Sequence, residues 1–337
     1  MNKATGNFLK FSLFLGIGLL LVWLSVRGLT EKDKTDISDA LHRANYTWIV
    51  ISILVGMLSH VVRAMRWKML MEPLGHDPKL SNTFFAVMVG YLANYAVPRL
   101  GEVSRCGILV RYEKIPFGES FGTVVVERIV DMLCFLVLVI VVFFLQFNTL
   151  YDYVVNKFWP GLETKFAGYG TLLYVLAAFF MVGLAVIILL RKRITRKLDE
   201  KLRKVIDGFK EGLKAIGKLK RPRLFIFQSF FIWAIYYAML HLCFLCLTET
   251  AGLSVGCALT TLLFGTLAVI ITPGGLGAYP PAVAGILILY QVSYGTGTAV
   301  GWLIWLSQFA AIIIFGSLSL ILLPLMNKEN DAAKIPS

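Results

Sequence analysis

The chain has 337 residues, 58% of them hydrophobic, with a mean hydropathy of +0.74 and a formal net charge of +13. Several apolar runs reach the ~20 residues that a bilayer crossing needs. They exclude a soluble protein, and their lack of alternation excludes a transmembrane β-barrel. The charge is concentrated in 191–223, where 14 Lys/Arg face only Asp199, Glu200, Asp207 and Glu211. No folded basic domain or aromatic platform accompanies it, so nucleic acid is not an expected partner.

In chain order, the apolar pattern predicts six full crossings, at 8–26, 48–65, 118–147, 171–190, 224–247 and 301–325. Lys3 and Lys10 precede the first, but no small-residue cleavage site follows it, so it reads as a retained helix rather than a signal peptide. Two further apolar regions are interrupted. One spans 80–97 and meets Pro98-Arg99-Leu100-Gly101, and the other spans 253–272 and breaks at Pro273-Gly274-Gly275-Leu276-Gly277 before 278–292. The segment 191–223 repeats Ile194, Leu198, Leu202, Val205, Phe209, Leu213 and Ile216 at helical spacing among its basic residues. It reads either as an amphipathic helix lying in the interface or as a basic cytoplasmic loop.

Basic residues favour the cytoplasmic side. Lys3 and Lys10, then Arg63, Arg66 and Lys68, then 191–223 all belong inside, and the nearly uncharged 148–170 belongs outside. These assignments agree only if 80–117 enters and leaves on one side, as a re-entrant hairpin. The same count makes 253–293 a hairpin from the opposite side and places both termini in the cytoplasm. The expected fold is therefore an all-α polytopic membrane protein, one integral domain, with about six full helices and two re-entrant hairpins. Its two repeats, about 48–147 and 224–325, have opposite orientation, the plan on which many transporters are built.

Charged residues inside such a sequence mark where function is expected, because each costs ~2.5–3.5 kcal/mol near the hydrocarbon centre. They fall in Asn94-Tyr95-Ala96-Val97-Pro98-Arg99-Leu100-Gly101-Glu102-Val103-Ser104-Arg105 and in Val126-Glu127-Arg128-Ile129-Val130-Asp131. Arg99, Glu102 and Arg105 are three apart, and Glu127 and Asp131 four apart, so each set shares a helix face. Two carboxylates beside several arginines leave positive charge over, which suits a phosphate held by a guanidinium fork. The alternative is a brace of salt bridges that holds helix ends together. The glycine turn at 273–277 is a second candidate, since glycines allow reversal and expose backbone N–H groups; it lacks the Gly-Lys-Ser/Thr ending of a nucleotide loop. Cys243 and Cys246 form a CxxC inside an apolar run, which favours small packing residues over metal or redox chemistry. The four histidines match no zinc spacing.

These three stretches resemble the signatures of the lysylphosphatidylglycerol synthase transmembrane-region family, the flippase-like integral membrane proteins, over nearly the whole chain. The resemblance implies lipid handling in a bacterial or archaeal cytoplasmic membrane. In bifunctional members this module moves the charged lipid while a separate soluble domain makes it. No aminoacyl-transferase domain is expected here, so lysylation by this chain is not. The family's glycine turn is often followed by an acidic residue, whereas Ala278-Tyr279-Pro280-Pro281 follows here.

The expectation is a non-enzymatic lipid translocase or lipid-binding transporter for an anionic or phosphate-bearing lipid, either a phospholipid or a polyprenyl-phosphate lipid. The substrate-binding candidates are Asn94, Arg99, Gly101, Glu102, Arg105, Glu127, Arg128, Asp131, Pro273, Gly274, Gly275 and Gly277, and the charged ones are expected to meet on the cytoplasmic side. No catalytic residue, cofactor or metal is expected; a homo-oligomer or an envelope-biosynthesis enzyme is the expected protein partner. Two rivals are an intramembrane enzyme that transfers a group to a lipid head, with Glu127 or Asp131 as base, and a regulatory partner of an envelope glycosyltransferase.

Overall fold

A computed structural model describes residues 26–97, 99–153 and 217–327, together with 16, 20, 22 and 23. The expected crossings at 8–26 and 171–190, most of the basic segment 191–223 and most of 148–170 lie outside these residues. The chain divides into two compact units, Met1–Val142 with Ile216–Ser337, and Phe143–Ala215. The described part of the second is the last stretch of one long helix, broken at Gln146 (φ −120°, ψ 16°). The other described helices belong to the first unit.

All secondary structure among the described residues is helical, and the protein is an all-α polytopic membrane protein. Helix α1 is Glu31–Arg43, α2 Tyr46–Met71, α3 Leu80–Ala96, α4 Leu100–Glu113 and α5 Phe117–Tyr153. The second half holds α6 Pro222–Phe244, α7 Thr248–Ala251, α8 Val255–Ile271, α9 Tyr279–Leu287 and α10 Tyr294–Met326. Four stretches are long and apolar enough to cross a membrane: Tyr46–Leu74, Phe117–Thr149, Pro222–Phe244 and Tyr294–Met326. In the first half the shorter helices α3 and α4 stand between two long ones; in the second α8 and α9 do, preceded by the four-residue α7.

Local chemistry sets the helix starts. Asn45, Ser254 and Ser293 cap α2, α8 and α10 by accepting from the N–H of Thr47, Cys257 and Thr296. Thr30 and Asp33 close a reciprocal capping box on α1. The Thr30 hydroxyl and N–H hold the Asp33 carboxyl below the usual carboxylate range. Two boundaries differ from the expected ones. Helix α2 runs on to Met71 rather than ending near Met65, so Arg63 and Arg66 are inside it and buried. Helix α10 begins at Tyr294, seven residues before the expected Gly301, because the Ser293 cap and the small residues Gly295, Gly297 and Gly301 let it start close against its neighbours.

Hydrogen bonds gather the helix ends into two groups. At one end of the molecule Arg221 pairs with Glu72 (3.0 Å) and His76 with Glu119 (2.7 Å). There Glu113, near the end of α4, accepts from the Lys79 N–H and the Asn82 amide at the start of α3 (3.1 and 2.5 Å). Asn82 and Asn327 also exchange amide bonds (3.0 and 2.9 Å). At the other end Arg43 pairs with Glu249 (2.8 Å), the Asn45 N–H donates to Cys246 (2.8 Å), and Ser293 donates to Asp36 (2.9 Å). The pair α3–α4 thus leaves and returns at the first end, and α8 and α10 both begin at the second.

The tips of the two short-helix pairs meet. The Tyr95 ring lies against Gly274, whose position has no room for a Cβ. Gly274 accepts from Trp305 Nε1 (2.8 Å), and Phe309 packs on both Tyr95 and Trp305 at 5.0 Å. The long helices α2 and α6 cross where Ser52 donates to the Met239 carbonyl (2.9 Å). Cys243 donates to Ser52 at 3.3 Å, so this cysteine of the CxxC serves packing.

Within the first hairpin the backbones of α3 and α4 touch at Gly90 and Gly101. A Cβ at Gly101 would overlap the Gly90 carbonyl and the Asn94 side chain, whereas one at Gly107 would meet open space. Gly101→Ala is expected to destabilise the protein by about 1–3 kcal/mol through overpacking. Gly107→Ala is expected to be neutral or to stabilise it by up to ~1 kcal/mol through helix propensity. Thermal unfolding of both variants in detergent checks the contrast.

Candidate functional site

The helical spacing of Arg63 and Arg66 on α2 and of Glu127 and Asp131 on α5 turns two charged faces toward each other. Arg63 Nη1 donates to Glu127 Oε1 and to Asp131 Oδ2, each at 2.6 Å, and its Nη2 donates to the Tyr236 hydroxyl at 3.0 Å. Arg66 Nη2 donates to Asp131 Oδ1 at 2.7 Å and lies 3.5 Å from Glu127 Oε1, while its Nη1 donates to Ser229 (3.1 Å). Arg105, on α4, brings Nη1 to 3.1 Å from Glu127 Oε2, an ion pair without hydrogen-bond geometry. Arg66 and Glu127 are fully buried, Arg63 and Arg105 nearly so. A separate pair, Arg128 with Glu102 at 2.7 Å, lies nearer the surface, Arg128 being 45% exposed.

The Arg105 guanidinium lies 4.5 Å above the Trp67 ring, a cation–π contact. Trp67 is itself fully buried and anchored by its Nε1 donating to Thr123 Oγ1 at 2.9 Å. Glu127 takes one end of Arg105 and Trp67 covers a face. The Arg105 Nε and Nη2 are buried and have no hydrogen-bond partner among the described residues. These two atoms form one edge of the guanidinium, the edge that grips two oxygens side by side. Arg105 lines a small cleft with Val87, Gly90, Tyr91, Asn94, Gly101 and Arg128, with about 10 Å³ inside, room for about one water.

The structure thus brings Glu102, Arg105, Glu127, Arg128 and Asp131 into one neighbourhood, with Asn94 and Gly101 beside them. Gly101 donates its N–H to Asn94 Oδ1 (2.7 Å), so both pin the hairpin tip as well as border the cleft. Arg99 does not share a face with Glu102 and Arg105. It precedes α4 in a left-handed conformation (φ 67°) and is exposed, with no ion pair among the described residues. Pro273, Gly274, Gly275 and Gly277 form the tight turn between α8 and α9, with the three glycines at positive φ. The turn reaches Tyr95, next to Asn94, but Gly274, Gly275 and Gly277 do not line the cleft. The cluster also lies well inside its helices rather than at their ends. Arg63 and Arg105 each stand eight residues from the end of their helix and Glu127 ten from the start of its own, about 12–15 Å of helix. That is roughly half of a ~30 Å hydrocarbon core.

Arg63, Arg66 and Trp67 were missed as site residues because the two arginines read as the basic end of a crossing. The signal was present: they sit three apart, and the apolar pattern continues through Met69, Leu70 and Met71.

The model of the lysylphosphatidylglycerol synthase TM region matches residues 9–316. The chain belongs to this family. Among curated proteins this lysylphosphatidylglycerol synthase TM-region protein is 28% identical to a UPF0104 membrane protein of Methanocaldococcus jannaschii, over 87% of this chain and 94% of that one. It is 24% identical to a UPF0104 membrane protein of Methanothermobacter thermautotrophicus, over 84% and 89%. A shorter stretch, 34% of this chain and 19% of the relative, is 25% identical to the glycosyltransferase AglD of Haloferax volcanii. No solved structure matches significantly. The family assignment makes the chain a multi-pass membrane protein.

In this family member Glu127 is the carboxylate that three buried arginines share. Its removal leaves uncompensated buried charge, at a cost of ~3–5 kcal/mol. Removal of Glu102 from the partly exposed pair is expected to cost under ~1 kcal/mol. Thermal unfolding of Glu127→Ala and Glu102→Ala in the same detergent checks the order; equal losses would contradict it.

Proposed function

We propose that this chain binds and translocates a phosphate-bearing membrane lipid, phospholipid or polyprenyl-phosphate. The observation that carries the reading is the Arg105 edge: two buried donors with no partner beside a cleft. Leaving such donors unsatisfied in a membrane interior costs energy that an oxyanion would recover. A cleft with room for about one water does not enclose a phosphate, so entry requires a local opening. The half-exposed Arg128–Glu102 pair at its edge is the weakest restraint there.

The rival in which Glu127 or Asp131 acts as a general base fits less well. Both carboxylates are engaged in ion pairs with arginines, and neither lines the cleft. The reading as a regulatory partner of an envelope glycosyltransferase draws support from the partial likeness to a protein named as a glycosyltransferase.

The orientation we infer is cytoplasmic for the end with Glu72, Glu113 and Arg221, because the basic 191–223 segment leads into it. The end of α10 is then cytoplasmic and α1 lies outside. The five cysteines are all buried, so labelling of intact cells with a membrane-impermeant maleimide should mark Ser38→Cys and spare Lys218→Cys. The reverse pattern would overturn the orientation.

For function, liposomes containing the protein and a fluorescent phospholipid should show accelerated lipid movement between leaflets. Arg105→Lys keeps the charge but loses the two-donor edge. It should retain the fold, seen as an unchanged gel-filtration profile, and lose most of the acceleration. Full activity in a well-folded Arg105→Lys protein would reduce the cluster to a brace.

A further inference from the structure

The charges of the cluster do not cancel. Among the described residues Arg63, Arg66 and Arg105 are joined by ion pairs to Glu127 and Asp131 alone. Three positive charges therefore meet two negative ones. The neighbouring Arg128–Glu102 pair is neutral, so counting it leaves the same surplus of one positive charge. Buried net charge is costly in a membrane protein, and it is relieved most fully by a ligand of equal and opposite charge. The unpartnered edge of Arg105 adds a geometric condition: two oxygens on one centre, presented side by side.

We propose that the site selects a lipid whose head carries a single negative charge on a phosphodiester, and that the Glu102–Arg128 pair sets this selectivity. This rests on the reading of the cleft as a lipid-phosphate site. A phosphodiester has two non-bridging oxygens for Nε and Nη2 of Arg105, and its one charge cancels the surplus. A phosphate monoester, with nearly two charges above pH 7, overshoots by one. Arg128 lines the cleft while its partner Glu102 does not, and Glu102 Oε2 is buried without a hydrogen-bond partner. Removing Glu102 therefore releases a second positive charge at the cleft wall and leaves the five groups of the cluster untouched. The pair acts as a specificity device rather than as part of the grip on phosphate.

The test compares transbilayer movement of fluorescent phosphatidylglycerol, a diester, with phosphatidic acid, a monoester, in liposomes of otherwise zwitterionic lipid at pH 8. Wild-type protein should move the diester on the order of tenfold faster, the factor that corresponds to ~1.4 kcal/mol. Glu102→Gln should narrow or invert that ratio, and returning to pH 5.5, where the monoester carries about one charge, should narrow it for wild type as well. If both lipids move with no preference at pH 8, or if wild type prefers the monoester, the charge rule is wrong while the translocase reading stands. A wild-type preference that Glu102→Gln leaves unchanged removes the pair from the proposal. If neither lipid moves faster than in protein-free liposomes, the translocase reading itself fails and this inference falls with it.

Discussion

Glu127 is the group on which the arrangement depends. A carboxylate with no exposed surface, deep among apolar helices, is tolerated only because Arg63, Arg66 and Arg105 converge on it. Those arginines come from α2 and α4, and the carboxylate from α5, so one residue ties three helices. The ties matter most for α5, much of which faces outward: Met132, Leu136 and Ile140 are exposed. Its inner side is held by this electrostatic contact, the Trp67–Thr123 bond and the apolar cluster around Val124 and Val130. Ion pairs do here what close backbone packing does for α9 and α10, where Gly297 and Gly301 let Ala284 and Pro280 press directly on the helix.

Much of this architecture was legible because membrane constraints are strong and few. Apolar runs were enough to find the four long helices among the described residues, and Lys/Arg placement asked that 80–117 return to the side it left. The tie between Glu113 and Asn82 is the atomic form of that return. Helix ends were less legible. A segmentation that stops a crossing at its first charges cuts α2 short, because hydropathy counts Arg63 as solvated when its charge is neutralised by residues more than sixty positions away. Only the partner's location explains the burial, and a single sequence does not state that location.

The candidate site shows the same division. Glu102, Arg105, Glu127, Arg128 and Asp131 stood out as charges in apolar surroundings, and they lie together. Arg99 stood out equally and lies apart, since the chain turns through a left-handed residue there instead of extending the helix backward. Gly101 was legible as a special position but for another reason. Its missing side chain admits the neighbouring helix backbone at Gly90, at the border of the cleft. Trp67 carried no signal at all, because its role is to lie flat under a guanidinium, and in sequence it is one aromatic among 44.

The contact between Tyr95 and Gly274 has a mechanical consequence. It joins the tips of two hairpins rooted at opposite ends of the molecule, so it forms a fulcrum near the middle of the fold. Tyr95 is one residue from Asn94, which borders the cleft, and Gly274 is fastened to α10 through Trp305. A widening of the cleft that shifts the end of α3 must either carry the glycine turn along or pull the ring out of its seat. In the first case the far end of the second hairpin swings as the first one moves, as a lever does. Gly274 itself and Gly275 and Gly277 after it are left-handed, and they give the turn the backbone freedom to pivot without distorting the helices that hold it.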